Sequence, residues 1–282
     1  MRKEDSFDRI SHAYVRKPGK NMAEGVCPAV GLPDVERALY QHDLYCVALS
    51  ACGVDVKALR TDPDFPDGCF ISDMALLAGS VAVLSNFSDK SPRQGEQQAI
   101  ATLLGRTHFL KHISAPGQFD AADVLKIRDH FYIGLTDHTN HHGAEQLAAI
   151  LRDVGFKASI LELYEENIVR MTTAAPYLGR DRILIREELA KNFAFLEYDK
   201  IVVPTEEKGA ANAFMVNGTL LMPKGYPQTA RELKLAGIAI REVDVSEFEK
   251  MNGGLGCLSL RLPAVDKGNI VLMTNFKSPA VA

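Results

Sequence analysis

SEFEKMNGGLGCLSLRL (246–262) is the stretch on which the reading of this chain turns. Its centre, GGLGC (253–257), places small residues where a backbone must approach another group closely, and ends on a cysteine, Cys257. Three other loops gather polar residues in the same way: DFPDGCFISD (64–73), FDAAD (119–123) and TDHTNHHG (136–143). Each lies beside an expected strand. One such cluster reads as a solvated turn; four together read as a site built on a rigid scaffold.

Outward from these loops, apolar spacing predicts helices over 33–49, 94–104, 143–154, 186–192 and 228–236. In the first, Val35, Leu39, His42, Tyr45 and Leu49 share one face. Short apolar runs predict buried strands over 81–84, 131–133, 183–185, 201–203, 220–222 and 238–243. Strands and helices alternate with no Gly-, Pro- or Ser-rich linker between them. The expectation is a single α/β domain over 1–282.

The chain has 282 residues, 24% charged and 46% hydrophobic, with a net charge of −4. No basic run stands out, which argues against nucleic acid or an anionic membrane as partner. The first twenty residues lack an apolar core of the signal-peptide kind. The apolar stretch over 74–84 is broken by Gly79 and Ser80 and is too short to span a bilayer. The five cysteines, Cys27, Cys46, Cys52, Cys69 and Cys257, form no CxxC pair. Free thiols in a reducing compartment, the cytoplasm, are expected.

In chain order, several segments resemble the dimethylarginine dimethylaminohydrolase family of guanidine-modifying enzymes. They are VRKPGKNMAEGV (15–26), LPDVERALYQHDLY (32–45), FPDGCFISD (65–73), SPRQGE (91–96), DHFYIG (129–134), NGTLLMPKGYP (217–227) and the 246–262 stretch. The resemblance runs from about residue 12 to 262. It implies a pentein-type fold, a pseudo-fivefold α/β propeller of ββαβ units, with 263–282 as an added segment that includes a strand-like run over 270–276.

The resemblance also assigns roles. Cys257 matches the thiol nucleophile, Asp73 the carboxylate that orients the substrate's planar cation, Asp67 a second pocket acid and Arg93 a substrate-carboxylate contact. Cys46, Cys52 and Cys69 read as structural. The chain then departs from the family pattern. Ser72 stands at a family Glu, Asp120 and Asp123 replace a Glu-Gly-Asp motif, His138 falls where some members carry Arg, and Arg170 occupies the position of the catalytic His. Together Ser72 and Arg170 move the reaction centre about two charges toward positive, since Arg stays protonated. Arg170 cannot be a general base; its charge is expected to lower the pKa of Cys257. His138, His141 and His142 can each carry protons, and His138 is the candidate because its aligned position in the family faces the substrate. A metal held by His138, His141 and His142 is a weaker option, and the expectation is no metal and no cofactor.

The activity expected from these residues is thiol-dependent hydrolysis of a C–N bond in a guanidine-, amidine- or ureido-like small molecule other than free methylarginine. Catalytic roles fall to Cys257, Arg170, Asp120 and His138, and substrate binding to Asp67, Ser72, Asp73, Arg93 and Asp123. An amidinotransferase or a non-catalytic ligand-binding protein uses the same residues. The partners expected are a small-molecule substrate and, at most, a second copy in a homodimer.

Overall fold

The computed structural model describes residues 9–25, 31–163, 168 and 170–264. Cys27 and the run over 270–276 lie outside the described residues. The chain opens with β1 (Ile10–Arg16), α1 (Val35–Ala51) and β2 (Asp55–Leu59). A second unit follows: β3 (Ala75–Ala78), β4 (Val81–Leu84), α2 (Gln97–Leu104) and β5 (Phe109–His112). The third is β6 (Val124–Ile127), β7 (His130–Leu135), α3 (His141–Asp153) and β8 (Lys157–Glu162). In the fourth, β9 (Tyr177–Gly179), β10 (Arg182–Arg186) and β11 (Asp199–Val203) are joined without an α-helix. The fifth holds β12 (Phe214–Val216), β13 (Thr219–Pro223), α4 (Pro227–Leu235) and β14 (Ile240–Val243). The short helix α5 (Ser246–Glu249) leads to β15 (Ser259–Pro263).

These strands form five separate three-stranded sheets, and four of them are consecutive in the chain. In each, the middle strand pairs antiparallel with the strand before it and parallel with the strand after. The remaining sheet joins the two ends of the described chain: β15 pairs antiparallel with β1, and β1 parallel with β2. β15 thus plays the part of a first strand, and the three-stranded unit recurs five times round a closed ring, four times as ββαβ and once with 3-10 turns in place of the helix. Each of the five apolar clusters is shared by two neighbouring sheets, from Leu260 with Ala82 to Val15 with Leu221. That is the pseudo-fivefold propeller expected above.

Local chemistry sets the elements. Asp34 caps α1 by accepting the amide of Arg37, and the helix buries Ala38, Gln41, His42, Tyr45, Ala48 and Leu49. α4 starts with Pro227, where no intrahelical N–H is lost, and the buried Glu207 carboxylate accepts the free amides of Gln228 and Thr229. Asn217 and Gly218, both at positive φ, make the two-residue turn between β12 and β13. The helix expected over 186–192 is instead a pair of 3-10 turns, Glu187–Leu189 and Phe193–Phe195. Asn192 caps the second turn with its side chain, which favours turn over helix.

A 3-10 turn precedes the first strand of every unit: Ile71–Met74, Ala121–Asp123, Met171–Thr173, Thr205–Ala211 and Leu255–Leu258. The first, second, third and last of these contact one another in turn. They carry or adjoin Asp73, Asp120 with Asp123, Arg170, Asn212 and Cys257. The fivefold repeat therefore delivers one cluster of chemically distinct side chains.

Candidate active site

Asp73 is fully buried at the middle of this cluster. Its Oδ2 accepts from Arg93 Nη1 at 2.8 Å and from Arg170 Nη1 at 2.6 Å. Burial alone would push the carboxyl up; the charges of Arg170 and Arg93 outweigh it and hold Asp73 below the usual carboxylate range. The same Arg170 nitrogen reaches Cys257 Sγ at 3.9 Å. Arg170 in turn is held well above its ordinary value: burial opposes its charge, and Asp73, Asp120 and Cys257 more than restore it. It is a fixed cation.

Cys257 is 1% exposed. Burial pushes its thiol up to about 12, Asp73 adds to that, and Arg170 pulls the other way without prevailing. The lowering expected from Arg170 is real in sign but outweighed. Burial and Asp73 together favour the thiol over the thiolate at Cys257.

Its loop is held from several sides. Ser72 Oγ donates to the carbonyl of Gly256 at 3.0 Å, as does Arg261 Nη1 at 3.1 Å, and Asn212 Oδ1 accepts the amide of Gly256 at 3.2 Å. A Cβ on Gly253 would strike the Phe70 ring, and one on Gly254 the Asn212 side chain. The close approach inferred from GGLGC is therefore an approach to neighbouring side chains.

Asp120 and Asp123 are buried on the neighbouring turn. Asp120 Oδ1 accepts the amide of Ala122 at 2.8 Å. Burial raises its carboxyl, Arg170 opposes, and Asp73 adds to the rise. Asp123 Oδ2 accepts from Thr136 and Thr139, each at 2.7 Å, while Oδ1 is sealed without a partner. Burial and the charge of Asp120 push Asp123 up to about 8, which favours its protonated form.

Thus Cys257, Arg170, Asp73, Ser72, Asp120 and Asp123 lie on adjoining turns. Three expected roles change. Arg93, assigned to a substrate carboxylate, spends its donors inside the protein, on Asp73, on both oxygens of Glu96 and on the Phe70 carbonyl. It positions Asp73. Ser72, assigned to substrate, ties the Cys257 loop to the Asp73 turn. His138 is exposed, and among the described residues its one hydrogen bond is from its backbone amide to Thr136 Oγ1. The TDHTNHHG loop points its threonines inward at Asp123 and leaves the histidine outside. His141 and His142 are also exposed, at the start of α3, and no group of three potential metal ligands converges among the described residues. Asp67 is buried against the turn at Gly25, where an added Cβ would lie 2.8 Å from its Oδ1.

Glu96, Asn212, Thr136 and Thr139 were not foreseen. Glu96 had a signal, since Arg93 and Glu96 are three apart in SPRQGE and pair locally. Asn212 had none.

No family model matches the sequence. Over 255 residues the chain is 36% identical to the dimethylarginine dimethylaminohydrolase of Pseudomonas aeruginosa, covering 89% of this chain and 99% of that one. It is 30% identical over 255 residues to the Streptomyces coelicolor protein of the same name, covering 89% and 96%. A solved structure of the Pseudomonas enzyme, a cysteine-to-serine variant complexed with citrulline, superposes with a TM-score of 0.86 at 34% identity, over 90% of this chain and 100% of that one. The N-terminal domain of a cyanobacterial arginine dihydrolase shares the fold, with a TM-score of 0.80 at 22% identity. The five-sheet ring and these similarities place the chain among the pentein-fold, guanidine-modifying enzymes. The chain belongs to the dimethylarginine dimethylaminohydrolase family, which makes it a C–N hydrolase.

Proposed function

We propose that the chain hydrolyses a guanidine-, amidine- or ureido-like small molecule through Cys257, and that free methylarginine is not its substrate. The observation that carries this is the ladder from Cys257 Sγ to Arg170 Nη1 at 3.9 Å and on to Asp73 Oδ2 at 2.6 Å. A carboxylate already held by two guanidinium groups has little left for a third. A fixed cation beside the nucleophile also opposes a purely cationic substrate.

The chemistry divides into two displacements. The Cys257 thiol passes its proton to Asp120, and the sulfur attacks the central carbon of the substrate, forming a C–S bond. The C–N bond to the leaving amine breaks with its electron pair, and Asp120 protonates that nitrogen. Water then attacks the thiouronium-like carbon and gives a proton back to Asp120, the thiolate leaves as the C–S bond breaks, and Asp120 returns that proton to the Cys257 sulfur. Asp120 suits the proton work because burial raises its carboxyl, and its neighbour Asp123 is raised too, to about 8. Asp73 and Arg170 keep the polar frame fixed throughout.

The cytoplasm suits a thiol enzyme of this kind, and no helix of the described residues is long and apolar enough to cross a membrane. A homodimer is the assembly that the exposed row Tyr40, Leu44 and Val47 on α1 fits; light scattering at twice the chain mass supports it, and the single-chain mass overturns it. The thiol's high pKa and the saturated Asp73 favour one rival, a ligand-binding member without turnover. Cys257→Ser separates the two: C–N cleavage falls by at least about 10³-fold if the sulfur is the nucleophile, whereas ligand binding without turnover in the parent chain supports the rival.

A further inference from the structure

The sequence contains two Asn-Gly steps, Asn217–Gly218 in the turn between β12 and β13 and Asn252–Gly253 at the head of the cysteine loop. Both asparagines are exposed, and both hold left-handed backbone, at φ 47° and φ 55°. Asparagine tolerates that conformation, and is among the thermally labile residue types. A following glycine has no Cβ to shield its backbone nitrogen from the asparagine side chain.

The two side chains differ. Asn217 is clamped: its Oδ1 accepts the amide of Ile10, and its Nδ2 donates to the carbonyls of Ile10 and Cys52, each at 2.9 Å. It is a short rung between the fifth unit and the first. The Asn252 side chain makes no hydrogen bond to the described residues. Only the backbone is held there, the amide of Asn252 donating to the Glu249 carbonyl and that of Gly253 to the Phe248 carbonyl, each at 3.1 Å. Freeing the Asn217 side chain for reaction breaks three hydrogen bonds; freeing the reacting groups at Asn252 breaks one.

We propose that Asn252 is a site of spontaneous covalent modification built into the cysteine loop, with Asn217 as its protected counterpart. The backbone nitrogen of Gly253 gives its proton to water or hydroxide and attacks Cγ of Asn252, forming a C–N bond. The bond from Cγ to Nδ2 breaks, and that nitrogen takes up a proton and leaves as ammonia. Water then opens the cyclic imide at either carbonyl, leaving aspartate or isoaspartate at 252.

The loop has no room for the second product. Isoaspartate routes the main chain through the former side-chain methylene, which lengthens the path to Gly253 by one carbon. A Cβ added to Gly253 would already strike the Phe70 ring, and one on Gly254 the Asn212 side chain. The Gly254 carbonyl in turn accepts the Cys257 amide at 3.0 Å. Isoaspartate at 252 therefore displaces the turn that carries Cys257.

Peptide mapping of the whole chain, aged at mildly alkaline pH with and without urea, follows isoaspartate and the conversion of amide to carboxyl at both steps. In the folded chain Asn252 should react at least about tenfold faster than Asn217, and in urea the two should react at comparable rates. Asn217 reacting as fast as Asn252 in the folded chain would overturn the proposal, as would a folded chain unmodified at 252 when the chain in urea is modified there. Asn252→Gly suits the left-handed backbone and removes the reacting amide. Its thermal midpoint should hold on ageing, while the isoaspartate fraction of the parent melts below the fresh protein. An isoaspartate fraction that melts with the fresh protein would contradict displacement of the cysteine turn. These readouts involve no turnover, so they fail independently of the hydrolase reading.

Discussion

Asp123 carries a cost that the fold bears in a definite pH window. Its carboxyl is pushed up to about 8 in the folded chain by burial and by Asp120, well above the ordinary value of 3.8. The native state therefore holds a proton that the unfolded chain releases. This contribution to stability is fully present below about pH 4 and is lost as pH rises through about 8, at a slope of at most about 1.4 kcal/mol per pH unit. Asp123→Asn keeps an oxygen for Thr136 and Thr139 and cannot ionise. Urea midpoints at pH 5 and pH 8.5 should fall in the parent and stay nearly level in the variant; equal falls would contradict the assignment. Arg93→Met should cost roughly 3–5 kcal/mol, because it leaves Glu96 buried without its main cation and Asp73 with only one of its two. A loss within about 0.5 kcal/mol, the range of an exposed substitution, would mean Arg93 does not hold Asp73.

At the scale of elements, the site is assembled by 3-10 turns that lead into the first strand of each unit. Gly253→Ala drives a methyl into the Phe70 ring and should cost about 1–3 kcal/mol by overpacking. Tyr45 ties α1 to the cysteine turn, its hydroxyl bonded to the Leu255 carbonyl at 3.1 Å and to Ser259 Oγ at 2.6 Å. Tyr45→Phe should cost about 1 kcal/mol or somewhat more. An unchanged thermal midpoint in either variant would contradict the account of the turn. The middle strands β4, β7, β10 and β13 were legible because they are buried and read as apolar runs. The outer strands β2 and β5 were not: DVKAL and FLKH lie largely in solvent and carry the polar residues of an exposed edge. Proximity of the four polar loops was legible from their residue types. The side-chain directions were not, and that is why His138 was expected inside and Glu96 was overlooked.

Across the whole molecule, the pairing of β15 with β1 closes the ring, and every apolar cluster bridges two sheets. No unit owns its core. One cooperative unfolding transition is expected, with the cysteine environment and the secondary structure lost together; two separated transitions would show independently folding parts. The ring also explains why the chemistry is concentrated in a few buried residues drawn from positions as distant as Asp73 and Cys257. Cys257 lies at the centre of that convergence, and its role is tested most directly by acid-quenched mass spectrometry of the enzyme during turnover of a guanidine-like small molecule. The account predicts a covalent adduct mapped to Cys257 that forms and decays with product release. Product release with no adduct on Cys257, or undiminished turnover by Cys257→Ser, would contradict it.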